Sequence, residues 1–282
     1  MRCDAAGAGD ECRFSSPALA TRDAVSEPLV SQRAMRARII QAMSLFSRSK
    51  PDTKPLDPAT PGDATKVKLV REELVLATAP RGAHAEQFRG LRNSLMALNP
   101  EGAPRTLVLT SASAREGKTV ATLNLALALA ELPNTRVLVV DANLHQPAVE
   151  SYLGLQRKAG LCDLLDGRCA PDQAIRATSV EGVSVLGAGT LPHNPSVVLG
   201  SERMKALLAT LKRQHSWVLI DTPEASTISD ASMLGAMVDG IVLVVRLGET
   251  PRHMVEQVHN TLESLGGNVL GTLLTGGHEQ AG

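Results

Sequence analysis

Short aliphatic runs alternate with longer amphipathic segments between about residues 83 and 275. The runs at 107–109, 136–140 and 217–220 are rich in Leu, Val and Ile without alternating polar residues, which is typical of strands that are covered on both faces. The segments between such runs carry apolar residues at helical spacing. This order predicts an α/β fold with a mainly parallel sheet of about six or seven strands, helices on both faces and right-handed crossovers.

A helix is predicted over residues 84–98, after the chain break at Pro80 and Gly82. Its apolar face consists of Phe88, Leu91, Leu95 and Leu98. Glu86, Arg89 and Arg92 recur at i, i+3 and i+6, so they share one broad polar face. On pattern alone, such a face is usually solvated.

The remaining elements follow from the same periodicity. Helices are predicted over residues 120–132, in the short segment GLCDLLDG, around 172–177, from a Ser201 cap to about 215, in ASMLGAMV after Ser229 and Asp230, and over about 251–265. Further strands are predicted in the segments VSVLGAG, DGIVLVV and NVLGTLL, with the loop GTLPHNP after the first of them.

Residues 1–66 differ from the rest because they contain few periodic apolar segments, and residues 47–66 are rich in Pro, Asp, Thr and Lys. We expect this region to be mostly disordered, with the folded domain over residues 67–282. One basic amphipathic helix is predicted over about 33–48, as a membrane or partner docking element. Two alternatives stay open for this segment. It is simply solvated, or it belongs to an upstream region that is rarely translated, because Met35 and Met43 can each initiate translation.

Composition removes several classes of function. The 29 basic and 29 acidic residues balance, so no global field recruits nucleic acid, and 2% aromatic content argues against base-stacking platforms. The four cysteines show no C-x-x-C spacing, which favours a reducing cytoplasm. No segment reaches the roughly 18 apolar residues of a membrane span.

The stretch RTLVLTSASAREGKT over residues 105–119 reads as strand, loop and helix start. Such a loop and the positive end of its helix suit phosphate oxygens. In the Walker A pattern, Lys118 reaches the β- and γ-phosphates and Thr119 binds magnesium, although Ala112 replaces the first glycine. The predicted nucleotide contacts are Ala114, Arg115, Glu116, Gly117, Lys118, Thr119 and Val120.

Two carboxylates follow aliphatic strands. Asp141 ends RVLVV, and Asp221 ends WVLI in a Walker B pattern. Because the carboxyl ends of parallel strands are where α/β sheets bind ligands, both are expected near Lys118. We therefore predict Lys118, Asp141 and Asp221 as catalytic residues, and Thr119, Asp141 and Asp221 as magnesium ligands, directly or through water.

Four motifs together carry a resemblance: ASAREGKT, VLVVDANLHQP, WVLIDTPE and EQFRGLR. In this combination the chain resembles the bacterial tyrosine kinases of capsule and exopolysaccharide synthesis, within the MinD/Mrp-like P-loop ATPases. The resemblance spans residues 83–275, and GLCDLLDG and GTLPHNPSVVL also resemble family landmarks. It implies a three-layer P-loop NTPase fold, with ATP and Mg²⁺ as cofactors and Asp141 in a Walker A′ motif.

The same resemblance assigns a role to the polar helix face. Glu86, Arg89 and Arg92 match the family's E-x-x-R-x-x-R helix, which implies self-association through residues 84–98.

The Walker A′ segment departs from the family, which usually carries Asp-x-Asp followed by arginines before the proline. This chain instead has Asp141, Asn143, His145 and Gln146 before Pro147. The amide of Asn143 can bond a metal-bound water but cannot neutralise charge, which predicts weaker metal affinity or catalysis. His145 is either a partial substitute for an arginine or a surface histidine.

The distribution of tyrosine also departs from the family, many of whose members end in a tyrosine cluster. The tail here reads TGGHEQAG, and Tyr152 is the sole tyrosine. Its ring is expected to pack into the domain. Phosphate therefore goes to another polypeptide, or ATP binding and hydrolysis serve as a conformational switch.

The resemblance implies an ATP-dependent phosphotransferase of the non-specific protein-tyrosine kinase type, regulating exopolysaccharide or capsule chain length and export. An ATPase switch and a nucleotide-binding regulatory subunit without tyrosine kinase activity stay open. A MinD/ParA-type positioning ATPase has less support, because those proteins carry a lysine where this chain has Ser113. The amphipathic C-terminal helix of the division type is also absent after Thr275.

The resemblance further implies a split arrangement, since no membrane span is predicted. A cytoplasmic ATPase would then be recruited to the inner face of the cell membrane by a separate activator of the chain-length-determinant type.

Overall fold

A computed structural model describes residues 71–103, 105–226 and 229–276 of the 282-residue chain. The predicted disordered region, the basic helix at 33–48 and the domain boundary near residue 66 all lie outside the described residues. No helix within the described ranges is long and apolar enough to cross a membrane.

A seven-stranded sheet forms the centre of the fold. Its strands are β1 Arg105–Ser111, β2 Val137–Asp141, β3 Ile175–Ala177, β4 Val183–Leu186, β5 Trp217–Asp221, β6 Gly240–Arg246 and β7 Val269–Thr275. Their order across the sheet is β3-β4-β2-β5-β1-β6-β7. The β3–β4 pair is antiparallel, and the other adjacent pairs are parallel.

Ten described helices accompany the sheet. They are α1 Val75–Thr78, α2 Ala83–Ala97, α3 Lys118–Ala130, α4 Val149–Tyr152, α5 Leu161–Leu165, α6 Pro171–Ala174, α7 Pro195–Leu199, α8 Glu202–Gln214, α9 Asp230–Gly235 and α10 Arg252–Ser264. The predicted α/β class and the mainly parallel sheet are therefore confirmed.

Two apolar cores lie on opposite faces of the sheet, because successive strand residues point to opposite sides. Leu107 and Leu109 of β1 join the core beneath α2 and α3. Val108 between them joins the other core, with apolar residues of α8, α9 and α10. α3 is buried along nearly its whole length, which explains its aliphatic composition.

Helix α3 also holds the first described segment of the chain. The Asn124 side chain in α3 accepts a hydrogen bond from the amide of Leu76 at 3.3 Å. It donates to the carbonyl of Glu73 at 2.8 Å. Because this buried amide is satisfied by backbone groups of residues 73–76, that segment is fixed against the helix that follows the phosphate loop.

Several predicted boundaries need correction. The helix predicted around 172–177 ends at Ala174, and residues 175–177 form β3 instead, because the β-branched Ile175 pairs with Leu186 of β4. The helix predicted at 120–132 begins at Lys118, since Gly117 in a left-handed conformation ends the loop. α7 falls where only a loop was predicted. The Ser201 cap is confirmed, with its hydroxyl accepting from the amide of Met204 at 3.2 Å.

Candidate functional site

The predicted functional residues meet at one edge of the sheet. β5 lies between β1 and β2, and Asp221 at the end of β5 is in register with Asp141 at the end of β2. The loop after β1 leads directly into α3 beside them. Residues that are about 100 positions apart in sequence therefore form a single site at the carboxyl ends of three parallel strands.

The phosphate loop has the backbone that such a site requires. Arg115 has φ of 61° and Gly117 has φ of 91°, both in the left-handed region. Alternation of right- and left-handed residues turns successive amides toward one concavity. The loop then delivers the positive end of the 13-residue helix α3. Val120 lies buried in the first turn of this helix.

Lys118 begins α3 directly after this loop, and only 7% of its surface is exposed. Its ammonium donates to the hydroxyl of Ser111 at 2.8 Å and approaches the carbonyl of Ser113 at 3.4 Å. Burial lowers the pKa of Lys118, and the charges of Asp221, Glu224 and Glu116 oppose that shift. A cation in this position is available to phosphate oxygens.

Thr119 and Asp221 form the part of the site that suits a divalent cation. The hydroxyl of Thr119 donates to Oδ2 of Asp221 at 2.6 Å. Oδ1 of Asp221 is buried and has no hydrogen-bond partner among the described residues. Burial and the charge of Asp141 raise the pKa of Asp221. An orphaned carboxylate oxygen beside a hydroxyl fits Mg²⁺, which is held by few protein ligands plus substrate phosphates and water.

The described residues hold no group of three or more His, Cys, Asp or Glu side chains suited to a metal ion.

Asp141 is in a different environment from Asp221, although both are fully buried. Its Oδ2 accepts from the amides of Ala148 and Val149, each at 3.0 Å, and its Oδ1 accepts from the amide of Asn143 at 3.2 Å. Burial raises the pKa of Asp141, and these amides oppose the shift. Asp141 thus anchors the backbone of its own Walker A′ segment.

Two of the residues that replace family charges in this segment, Asn143 and His145, have side-chain partners. Oδ1 of Asn143 accepts from the amide of Gln146 at 3.1 Å. The Nε2 atom of His145 lies 3.1 Å from Oδ2 of Asp230, whose Oδ1 accepts from the hydroxyl of Ser196 at 2.5 Å. His145 therefore connects its segment to α7 and α9. Neither Asp230 nor Ser196 was predicted as a site residue, because both are distant from His145 in sequence and no local pattern pairs them with it.

Glu116 was predicted as a nucleotide contact, yet its carboxylate is buried in the fold. Oε1 accepts from the amide of Ser113 at 2.7 Å and from the hydroxyl of Thr250 at 2.9 Å. The hydroxyl of Thr275 donates to the Glu116 carbonyl at 2.8 Å. The loop after β6 and the end of β7 thus brace the phosphate loop, through two threonines that no local pattern indicates.

The predicted interface residues on α2 contact their own chain. Arg89 donates to Glu131 through two nitrogens, at 2.8 and 2.5 Å, and also to Glu86 at 2.6 Å. Arg92 reaches Glu131 at 3.0 Å and the carbonyl of Ala128 at 3.0 Å. Hydrogen bonding to Arg89 lowers the pKa of Glu131. This polar face is therefore an ion-pair network with the end of α3 rather than a simply solvated surface.

Comparison with known proteins gives a consistent set of relatives. The tyrosine-protein kinase YwqD of Bacillus subtilis is 29% identical over 207 residues, which are 73% of this chain and 87% of that protein. The kinase domain of the Escherichia coli tyrosine kinase ETK aligns with a TM-score of 0.75 at 25% identity, over 89% of this chain and 94% of that domain. The VpsO kinase domain aligns with a TM-score of 0.62 at 30% identity, over 66% of this chain and 92% of that domain.

Other relatives are much longer, and the chain covers 25% of one and 28% of another. No family model matches the chain.

The buried carboxylates predict an unusual dependence of stability on pH. Because their pKa values are raised by folding, the folded state binds protons more tightly than the unfolded state. Their contribution to the stability of the folded state is therefore fully present at pH values below the ordinary pKa of a carboxyl group. It is lost as pH rises through the raised pKa values. We expect Asp221→Asn to raise the melting temperature of the nucleotide-free protein by a few degrees at pH 8, with little change near pH 4.

Thermal unfolding across this pH range, with the exposed substitution Asp172→Asn as control, measures the effect. If the melting temperatures of the unmodified protein and Asp221→Asn changed in parallel with pH, that result would contradict the prediction.

Proposed function

The chain belongs to the bacterial tyrosine kinase family within the P-loop ATPases, and we propose that it binds ATP with Mg²⁺ and transfers the γ-phosphate to another polypeptide. The observation that carries the proposal is the set formed by Lys118, Thr119 and Asp221, in which a buried cation, a hydroxyl and an orphaned carboxylate oxygen adjoin a phosphate loop. Phosphoryl transfer depends mostly on positioning and charge stabilisation, so few side chains are required.

Each residue has a distinct task in this proposal. The amides of residues 114–119 and the ammonium of Lys118 bind phosphate oxygens. Thr119 and Asp221 would hold Mg²⁺, which when bound neutralises charge that develops on the phosphates. Asp141 fixes the Walker A′ backbone, so that the segment around Asn143 keeps its place beside the metal ligands.

The acceptor is proposed to be a separate polypeptide because Tyr152 is a poor substrate. Tyr152 is the chain's sole tyrosine and is partly buried, with the guanidinium carbon of Arg71 at 5.1 Å from its ring centre. Transfer to water, which would make the protein an ATPase switch, uses the same residues. A regulatory subunit that binds nucleotide without turnover is favoured by one observation, the amide of Asn143 in place of a carboxylate.

We extend the proposal to the process that the protein serves. The family resemblance supports a role in the chain length or export of an exopolysaccharide or capsule. It also supports recruitment to the inner face of the cell membrane by a separate chain-length-determinant-type protein.

Labelled ATP distinguishes these functions when it is added with Mg²⁺ to the full chain, with and without the cytoplasmic tail of such a partner. Transfer of label to a protein is the expected result. Release of phosphate alone identifies the ATPase, and bound nucleotide without either identifies the regulatory subunit. Loss of the Lys118 charge-assisted bond costs about 1.5–3 kcal/mol, so we expect Lys118→Ala to weaken ATP binding roughly 10- to 150-fold.

The exposed Lys205→Ala variant is the matched control for this measurement. Undiminished ATP affinity in Lys118→Ala would contradict the assignment of the loop.

We also propose that the α2 face of Glu86, Arg89 and Arg92 mediates self-association. Glu131 of the same chain already binds both arginines, so this contact competes with any partner subunit. We expect Arg89→Ala with Arg92→Ala to shift sedimentation toward monomer, and Glu131→Gln to favour the assembled form. Melting curves of the same samples verify folding. Unchanged sedimentation of the folded double variant would exclude this face as the interface.

A further inference from the structure

The ammonium of Lys118 contacts a serine that lies just before the Walker A motif, which begins at Ala112. Ser111 ends β1, and its buried hydroxyl accepts a hydrogen bond from Nζ of Lys118 at 2.8 Å. The same hydroxyl donates to the carbonyl of Ser113 at 2.5 Å, and Nζ lies 3.4 Å from that carbonyl. Because the hydroxyl's proton is directed at Ser113, its lone pairs are available to the ammonium.

Neighbouring elements hold both residues whose oxygens Nζ contacts. Ser111 is paired with Val244 of β6, and its carbonyl accepts from the amide of Ala225 at 2.9 Å. The amide of Ser113 donates to Oε1 of Glu116 at 2.7 Å. The two oxygen atoms that the ammonium contacts therefore belong to residues fixed by strand pairing and by the folded loop.

A fixed acceptor is important here because the lysine charge is buried. Only 7% of Lys118 is exposed, and an ammonium removed from water without hydrogen-bond partners is costly. Its four-carbon stem is also flexible, so an acceptor that fixes the ammonium reduces the entropy that phosphate binding would otherwise cost. An ammonium has three N–H donors, so its bonds to Ser111 and Ser113 are compatible with a further bond to a phosphate oxygen.

We propose that Ser111 is a positioning residue for nucleotide binding, whose hydroxyl directs the ammonium of Lys118 toward the phosphates and stays bonded to it in the complex. The inference rests on the proposed function, because it requires phosphates at Lys118. Ser111 binds no phosphate itself and acts through the lysine, so its effect on affinity must vanish when the lysine is removed. This dependence separates a positioning role from a general contribution of Ser111 to the folding of β1.

A double-mutant cycle of Ser111→Ala and Lys118→Ala tests this dependence. The measured quantity is the dissociation constant for a non-hydrolysable ATP analogue with Mg²⁺, in the unmodified full chain, each single variant and the double variant. We expect Ser111→Ala to weaken binding roughly tenfold, because a hydrogen bond to a charged group is lost. In the Lys118→Ala background, the same substitution should change the dissociation constant by less than about twofold.

The variant Ser111→Cys separates the loss of the acceptor from the loss of volume. A thiol fills the space of the hydroxyl but is a weak acceptor, so this variant should weaken binding by a factor similar to that of Ser111→Ala. Melting curves verify that each variant folds, and the cycle can be completed with either substitution. Undiminished analogue affinity in a folded Ser111→Ala or Ser111→Cys variant overturns the inference and leaves the proposed function intact.

Thr106→Val is the matched control, because Thr106 is another buried residue of β1 whose hydroxyl bonds a charged side chain, that of Asp239, at 2.9 Å. It should leave the dissociation constant within about twofold of the unmodified value.

Two further results of the cycle would overturn the inference. If Ser111→Ala weakens binding equally with and without Lys118, the serine acts through the fold and not through the lysine. If Ser111→Ala tightens binding, its hydroxyl competes with phosphate for the ammonium. Failure of the unmodified protein to bind the analogue overturns the proposed function itself, and the inference with it.

Discussion

The structure depends on the burial of opposite charges at the ends of three adjacent parallel strands. Asp141 and Asp221 are neighbours across β2 and β5 with no exposed surface, and the charge of Asp221 acts on Lys118 at the start of α3. Ionised groups are costly to remove from water unless they are paired. Backbone amides compensate Asp141, and Thr119 partly compensates Asp221. Among the residues that the structure describes, none provides such a partner to Oδ1 of Asp221, and this imbalance is the physical basis for assigning a cation to the site.

The surrounding fold holds these charges in position through contacts on every side. Thr250 after β6 and Thr275 at the end of β7 brace the phosphate loop through Glu116. Asn124 ties the first described residues to α3. A loop that is fixed on both sides does not need to reorganise when phosphate binds, so its amides act as preorganised donors. Backbone contact with β1 also continues beyond the end of β5, where the amide of Ala225 donates to the carbonyl of Ser111 at 2.9 Å.

Sequence predicted the parts of the site that depend on local pattern. The phosphate loop, Asp141 and Asp221 each follow a short aliphatic strand, so neighbouring residues were enough to locate them. Pairs that join distant segments were missed, namely His145 with Asp230 and the arginines of α2 with Glu131. β3 was missed because three residues carry too little periodicity and pair only in the presence of β4. The burial of the Glu116 carboxylate was also missed, because its partner Thr250 lies 134 residues away in sequence.

The central claim is that the buried carboxylate pair receives a cation together with nucleotide phosphates. A cation bound at Asp221 lowers its raised pKa, so binding near neutral pH must release protons. Calorimetric titration with Mg²⁺ and an ATP analogue, in buffers of different ionisation enthalpy, measures that release directly. We expect a buffer-dependent binding enthalpy for the unmodified protein, with a much smaller dependence for Asp221→Asn. Binding with the same enthalpy in every buffer would contradict the claim.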